Sequence, residues 1–257
     1  MTSWDTHDNV HVLDSGLALV TGPASNWVVV GTGDSWLLVD GGYPGDMDRV
    51  MASARAAGVR GLPEAVLLTH AHVDHVGAAR RLAADGVPVW CAAAELGNAT
   101  GETPSQIAPE TAYAKAAASP LWGAWVHHAV AAGGLESQRL RPAQLRSFAA
   151  RAGNVLDLPG HPVVIPSTGH TPGHTSFQVG PVLVGGDAVV TAHPTSPVEG
   201  RAQLLDAAFQ DDYEATTQAA QRLCEVQAEV LAPGHGPALE MSAVREELRS
   251  AHVPVDL

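Results

Sequence analysis

Basic side chains are scarce in this chain. Lysines and arginines number 14 against 27 aspartates and glutamates, and Lys115 is the only lysine. The formal net charge of −13 argues against a nucleic-acid binder, which needs a basic footprint to release counterions from phosphates. It argues equally against docking on an anionic membrane surface. Cysteine is scarce too: Cys91 and Cys224 are too few for a disulfide framework and read as buried free thiols of a reducing compartment. Aromatic residues make up only 5%, so the core must rest on Val, Leu and Ala. No segment approaches the roughly 20 apolar residues of a membrane-spanning helix. The first eight residues are polar and acidic, without the basic and apolar regions of a signal peptide, so a cytoplasmic location is expected.

What remains is globular in composition, with 46% hydrophobic and 16% charged residues over 257 positions. Residues 10–20, 26–30 and 36–39 read as short strands punctuated by Gly and Pro, the last running into Asp40-Gly41-Gly42. Helical character at 46–57 stops at Gly58. A strand at 65–68, a helix at 78–84 and a strand at 87–90 follow, so β alternates with α. Residues 103–152 differ in kind. They are Ala-rich, with helical signals at 111–118, 121–132 and 142–152, and read as a helical insertion capping a single domain that spans the whole chain. Strands at 163–165, 176–179 and 182–184, a helix at 211–226, a strand at 229–231 and a helix at 242–249 close the pattern.

Chemistry concentrates at the end of the 65–68 strand, in His70-Ala71-His72-Val73-Asp74-His75. Residues two apart in extended chain point the same way, so His70 and His72 can grip one ion together. Asp74 and His75 come where the chain turns toward the next helix and can face a second. A solvated loop has no need of four metal-competent side chains in six positions. Three further candidates lie where strands meet Gly/Pro turns: His174 in Gly169-His-Thr-Pro-Gly-His174, Asp187 after Gly185-Gly186, and His235 in Pro233-Gly-His-Gly236. Small neighbours there let backbone approach a metal closely.

This set, with strand-Asp40-Gly41-Gly42 before it and Gly-His235-Gly after it, resembles the metallo-β-lactamase superfamily. The likeness is to its binuclear hydrolase branch, with glyoxalase II and the acyl-homoserine lactonases. The resemblance implies an α/β fold, a four-layer αββα sandwich with the site at one rim. It implies that His70, His72 and His174 hold one metal ion, that Asp74, His75 and His235 hold a second, and that Asp187 bridges them. It further implies a bridging hydroxide that attacks the carbonyl of a small-molecule ester, lactone, thioester or amide, with Asp74 and Asp187 as the catalytic carboxylates. Nitrogen and oxygen donors suit zinc, with manganese or iron compatible.

Around that set, Asp40 reads either as a support for a ligating imidazole or as an ordinary turn carboxylate before Gly41-Gly42. His170 reads as a surface-loop histidine and His193 as part of an ordinary loop, while His7, His11, His161 and His252 read as bystanders. Trp122 and Trp125 read either as packing or as an apolar wall for an acyl group. No tyrosine follows Asp187 closely, unlike the lactonases, and no long basic tail follows His235, unlike glyoxalase II. The competing readings are a mononuclear iron dioxygenase of persulfides, a nuclease of the same superfamily, and a non-catalytic binding protein. The expected partner is a small-molecule substrate, without nucleic acid or membrane; a homodimer is compatible with the sequence.

Overall fold

The computed structural model describes residues 9–136 and 139–250, so the bystander histidines His7 and His252 fall outside it. The chain opens with four antiparallel strands, β1 (Asn9–Asp14), β2 (Leu17–Thr21), β3 (Asn26–Thr32) and β4 (Ser35–Val39). Helix α1 (Met47–Ala56) leads to β5 (Ala65–Leu67), α2 (Val73–Ala84) and β6 (Val89–Ala92). After α3 (Leu96–Thr100), α4 (Pro109–Ala118) and α5 (Pro120–Ala131), β7 (Leu145–Phe148) completes a seven-stranded sheet in the order β1 to β7. The second half holds β8 (Val163–Pro166), β9 (Thr175–Val179), β10 (Val182–Gly186), β11 (Val190–Ala192) and β12 (Glu199–Gln203). Helix α6 (Tyr213–Leu223), β13 (Val230–Pro233), β14 (Leu239–Glu240) and α7 (Met241–Ser250) end it. The second sheet runs β14-β13-β10-β9-β8, and β11 pairs with β12 apart from it.

Strand alternation builds the layers. On β3 and β4, Trp27, Val29, Trp36 and Leu38 face α1 and α2, while Val28, Val30, Leu37 and Val39 face the second sheet. On β10 and β13, Val182, Val184 and Ala232 meet that inner layer, while Leu183 and Leu231 pack outward on α6 and α7. Strands buried on both faces need unbroken apolar runs, which is why 65–68 and 182–184 read as continuous hydrophobics. The result is the αββα sandwich. Each fully buried Leu or Val contributes about 1.5–3 kcal/mol, enough for a core poor in aromatics.

Parallel registers then bring functional strand ends to one rim. Leu37, Leu38 and Val39 pair with Ala65, Val66 and Leu67, so Asp40 arrives beside Thr69. Val184 pairs with Ala232 and Gly186 with Pro233, so Asp187 arrives beside His235. Helix α2 starts at Val73, five residues before the predicted start, and Gly77 inside it lies flat against the backbone of Gly42 and Tyr43. Any side chain there would drive the Gly41-Gly42-Tyr43 loop off the helix.

The predicted insertion is α-helical only over Pro109–Ala118 and Pro120–Ala131, with a 3-10 turn at Pro142–Gln144. Residues 145–148, expected to be helical, form β7, which pairs in parallel with β6. Leu145 and Phe148 are its buried positions, and the open edge of β6 decides the matter over local helix propensity. Cys91 is buried and Cys224 half-buried, both as free thiols.

Candidate metal centre

Eight side chains from loops of both sheets converge at the rim. From the first sheet come His70, His72, Asp74 and His75; from the second come His170, His174, Asp187 and His235. Seven are buried, and only Asp74 keeps partial exposure. Close approach requires small neighbours: a side chain at Gly234 would collide with Asp187 and His75.

Ring orientation follows from the nitrogen that faces away from the centre. Asp40, in the left-handed region at φ 59, accepts from Thr69 N–H at 2.8 Å, Thr69 Oγ1–H at 2.7 Å and His75 Nδ1–H at 2.9 Å. The Thr69 hydroxyl, having given its proton to Asp40, accepts from His70 Nδ1–H at 3.0 Å. His235 Nδ1–H donates to the Ala24 carbonyl at 2.7 Å, and His170 Nδ1–H donates to Gln210 Oε1 at 3.1 Å. Each of these imidazoles therefore presents Nε2 to the centre, with its tautomer fixed by the outer partner.

Those inward atoms crowd a small volume. Asp187 Oδ1 lies 3.4 Å from His75 Nε2, and Asp187 Oδ2 lies 3.1 Å from His235 Nε2, 3.4 Å from His170 Nε2 and 3.9 Å from His70 Nε2. Asp74 Oδ2 is 3.5 Å from His235 Nε2. His72 Nδ1 and His170 Nε2 stand 3.0 Å apart, a contact that needs a proton or a cation between them. His70 Nε2, His75 Nε2 and Asp187 Oδ1 are buried with no hydrogen-bond partner. Leaving such atoms unpaired costs about 1–3 kcal/mol each, so their convergence marks a place for a bound cation. Mutually close donor sets are His70-His72-His170, His70-His75-Asp187 and Asp74-His75-His235.

Protonation states agree. Burial lowers the pKa of His70 and His170 well below the ordinary histidine value, and lowers His72 as well. Burial opposes charge on His75, but Asp187, Asp74 and Asp40 outweigh it and hold its pKa well above the usual value. The same contest, won chiefly by Asp187, raises His235. Burial pulls Asp187 up, yet His235 and His75 keep it well below the carboxylate range. Without metal the centre thus balances its carboxylates with protons on imidazoles, the protons that a metal ion displaces on binding.

The geometry corrects the expectation for the first donor set. His174 Nε2 accepts the Asp187 backbone N–H at 3.0 Å, and its Nδ1 pairs with Ser167 Oγ at 2.8 Å. With both nitrogens engaged, His174 supports the Asp187 turn, and the close donor set holds His170 in its place. His170, expected on the surface, is 1% exposed and takes the inward position. Of its two readings, Asp40 takes the supporting one. His11 and His161 are exposed, as bystanders should be.

Two functional side chains gave no sequence signal. Glu95, fully buried just before α3, accepts from Ala71 N–H at 2.9 Å and Asn98 Nδ2 at 2.7 Å through Oε1. Through Oε2 it accepts from Thr171 Oγ1–H at 2.7 Å and Gly173 N–H at 3.0 Å. One carboxylate thereby ties the His70–His72 segment to the loop that carries His170. Tyr43, buried in the loop ahead of α1 and packed against α2, reaches the cavity beside the centre; that cavity also takes in His193, whose place beside Pro194 suggested an ordinary loop.

The cavity measures about 280 Å³ and lies under α4 and α5. The two tryptophans part company there. Trp125 lines it, whereas Trp122 lies behind, stacked on Phe209 at 4.9 Å and 6°. Trp125→Ala should raise KM by roughly 10- to 150-fold, the kinetic equivalent of about 1.5–3 kcal/mol, with metal content unchanged. Trp122→Ala should lower the melting temperature and spare KM. Kinetics and melting on the same samples check both, and equal kinetic damage from the two would refute the division.

Comparison with known proteins agrees with this architecture. The family model of the metallo-β-lactamase superfamily matches residues 20–235, and the chain belongs to that superfamily. It is 27% identical over 231 residues to the probable metallo-hydrolase YflN of Bacillus subtilis (strain 168), covering 83% of this chain and 80% of that one. Among solved structures, the archaeal superfamily protein ST1585 from Sulfolobus tokodaii superposes with a TM-score of 0.62 at 19% identity, over 91% of this chain and 83% of that one. TTHA1623, solved in a di-iron-bound form, gives 0.58 at 25% identity, over 87% and 93%. Among the described residues no helix is long and apolar enough to cross a membrane.

Proposed function

We propose that this chain is a binuclear metal-dependent hydrolase of small-molecule carbonyl compounds. One observation carries the reading: orphaned, inward-facing nitrogens and a carboxylate oxygen converge at the end of an apolar cavity. His70, His72 and His170 hold one divalent ion, Asp74, His75 and His235 hold the other, and Asp187 stands between them. Zinc is the assignment for an all nitrogen and oxygen donor set, and iron, the metal of the TTHA1623 structure, suits the same donors. Such a pair supplies Lewis acidity toward a carbonyl and lowers the pKa of water to near 7.

The chain's own residues do the rest. Asp40, Thr69, Ala24 and Gln210 lock the imidazoles. Asp74, the one partly exposed carboxylate of the centre, faces the cavity and can accept a proton there. Apolar walls exclude water from the remainder of the site.

The test is metal content together with a substrate panel. Fully loaded protein should hold two ions and cleave a lactone, ester, thioester or amide. His170→Ala should drop to one tightly held ion. His174→Ala should keep two, at the cost of a lower melting temperature. A single iron in active protein with persulfide oxygenation would support the dioxygenase reading, and phosphodiester cleavage the nuclease.

A further inference from the structure

Away from the donors, the cavity beside the centre is walled by apolar side chains. Its walls are Ile107, Trp125, Val126, Ala129, Leu205 and Phe209. No lysine or arginine lines it. The one lysine is engaged elsewhere, paired to Asp206 at 2.9 Å and lying 4.8 Å over the Trp122 ring. At the cavity's outer edge Tyr113, Val130 and Leu135 are 51%, 42% and 63% exposed, so apolar surface continues out into solvent. A carboxylate or phosphate seated along the buried wall, short of that edge, would shed its water with no cation to receive it, at several kcal/mol.

Apart from the Tyr113 hydroxyl at the edge, polar groups gather at the inner end. Among them His193 has a fixed role. The Thr195 backbone N–H can only donate, and it donates to His193 Nδ1 at 3.2 Å, with Thr195 Oγ1 also 2.7 Å away. A neutral ring whose Nδ1 accepts must carry its proton on Nε2. That N–H has no protein partner among the described residues, and the ring packs between His235 at 4.7 Å and Phe209 at 5.0 Å. His193 thus offers one hydrogen bond where the apolar wall meets the metal centre.

We propose that the substrate is an uncharged carbonyl compound with an apolar chain, its chain lying along Phe209 and α4–α5 and its carbonyl end receiving the His193 Nε2–H bond. At the ~30 Å³ per molecule of liquid water, the cavity holds on the order of ten non-hydrogen atoms, with the apolar edge accommodating longer chains. This deepens the hydrolase reading and rests on it for turnover, but binding can be measured without it.

The test uses loaded protein and two probe sets. Methyl ketones from 2-butanone to 2-decanone, read by tryptophan fluorescence, should bind about fourfold tighter per methylene until the cavity fills. Placing a carboxylate at the far end, as in 7-oxooctanoate against 2-octanone, should weaken binding at least tenfold. In turnover, 4-nitrophenyl octanoate should exceed the acetate in kcat/KM, and Ala129→Leu should shift the optimum to shorter chains. His193→Phe, which removes the donor and keeps a ring, should reduce ketone affinity equally at every chain length. A flat chain-length series, or a carboxylate-tipped probe that binds as well as the neutral one, overturns the proposal. Length-dependent ketone binding without hydrolysis of any ester, lactone, thioester or amide upholds this cavity assignment and overturns the hydrolase reading instead.

Discussion

Replacing Asp187 by alanine should abolish measurable turnover, with kcat/KM falling on the order of a thousandfold or more. The carboxylate lies within 3.1–3.9 Å of four imidazole nitrogens and stands between the two donor sets. On the proposed assignment its removal would take a ligand from both ions at once, and each bound ion would contribute several kcal/mol to stabilising charge in the transition state. Elemental analysis should show at least one ion weakened. Circular dichroism should show the sandwich retained, because the carboxylate supports no core strand. The control is His11→Ala, at an exposed position on β1. Comparable losses from the two variants would sink the assignment of Asp187.

The second large effect is expected at Glu95. Truncation to alanine strands the Ala71 and Gly173 N–H groups, the Thr171 hydroxyl and the Asn98 amide in the interior. At about 1–3 kcal/mol per buried unpaired donor, with some repairing by neighbours, a net cost of ~3–5 kcal/mol follows. For a chain of this size that is a fall of roughly 6–20 °C in melting temperature. Stability alone would not distinguish Glu95 from any buried polar residue, so the telling readout is metal affinity. Because the carboxylate ties together the segments carrying His72 and His170, their ion should bind about 10- to 100-fold more weakly in Glu95→Gln, which nearly preserves shape. The ion held by Asp74, His75 and His235 should be little changed. Equal weakening of both ions, or of neither, would count against a positioning role.

Most of the sandwich was legible in the sequence because its signals are local. Strands at 36–39, 65–68 and 182–184 announce themselves as short apolar runs ending in Gly or in metal-competent residues, and the hexapeptide from His70 to His75 packs four donors into one turn. Where the sequence failed, the deciding forces were non-local. His170 and His174 sit four apart in one Gly/Pro turn, each followed by threonine, and local pattern treats them alike. What separates them is that Ser167 and the Asp187 N–H capture one ring while Gln210, some forty residues on, orients the other. Residues 145–148 fail for a similar reason, their strand state being set by β6. Glu95 follows three alanines and belongs to no motif; its four donors come from three separate segments.

The parallel pairing of β10 with β13 carries a consequence for biosynthesis. His70, His72, Asp74 and His75 leave the ribosome early, on a sheet whose seven strands are all encoded before residue 149. The turn bearing His235 has no place to settle until β13 has come in beside β10, and that strand lies near the end of the chain. A nascent chain therefore displays four of the seven proposed donors before the other three exist. Any ion caught in that interval is held by an incomplete, exchangeable shell. On the proposed assignment, loading would in this way be a late event, and the choice of metal would fall to the finished molecule and the ions around it rather than to whichever ion met the growing chain first.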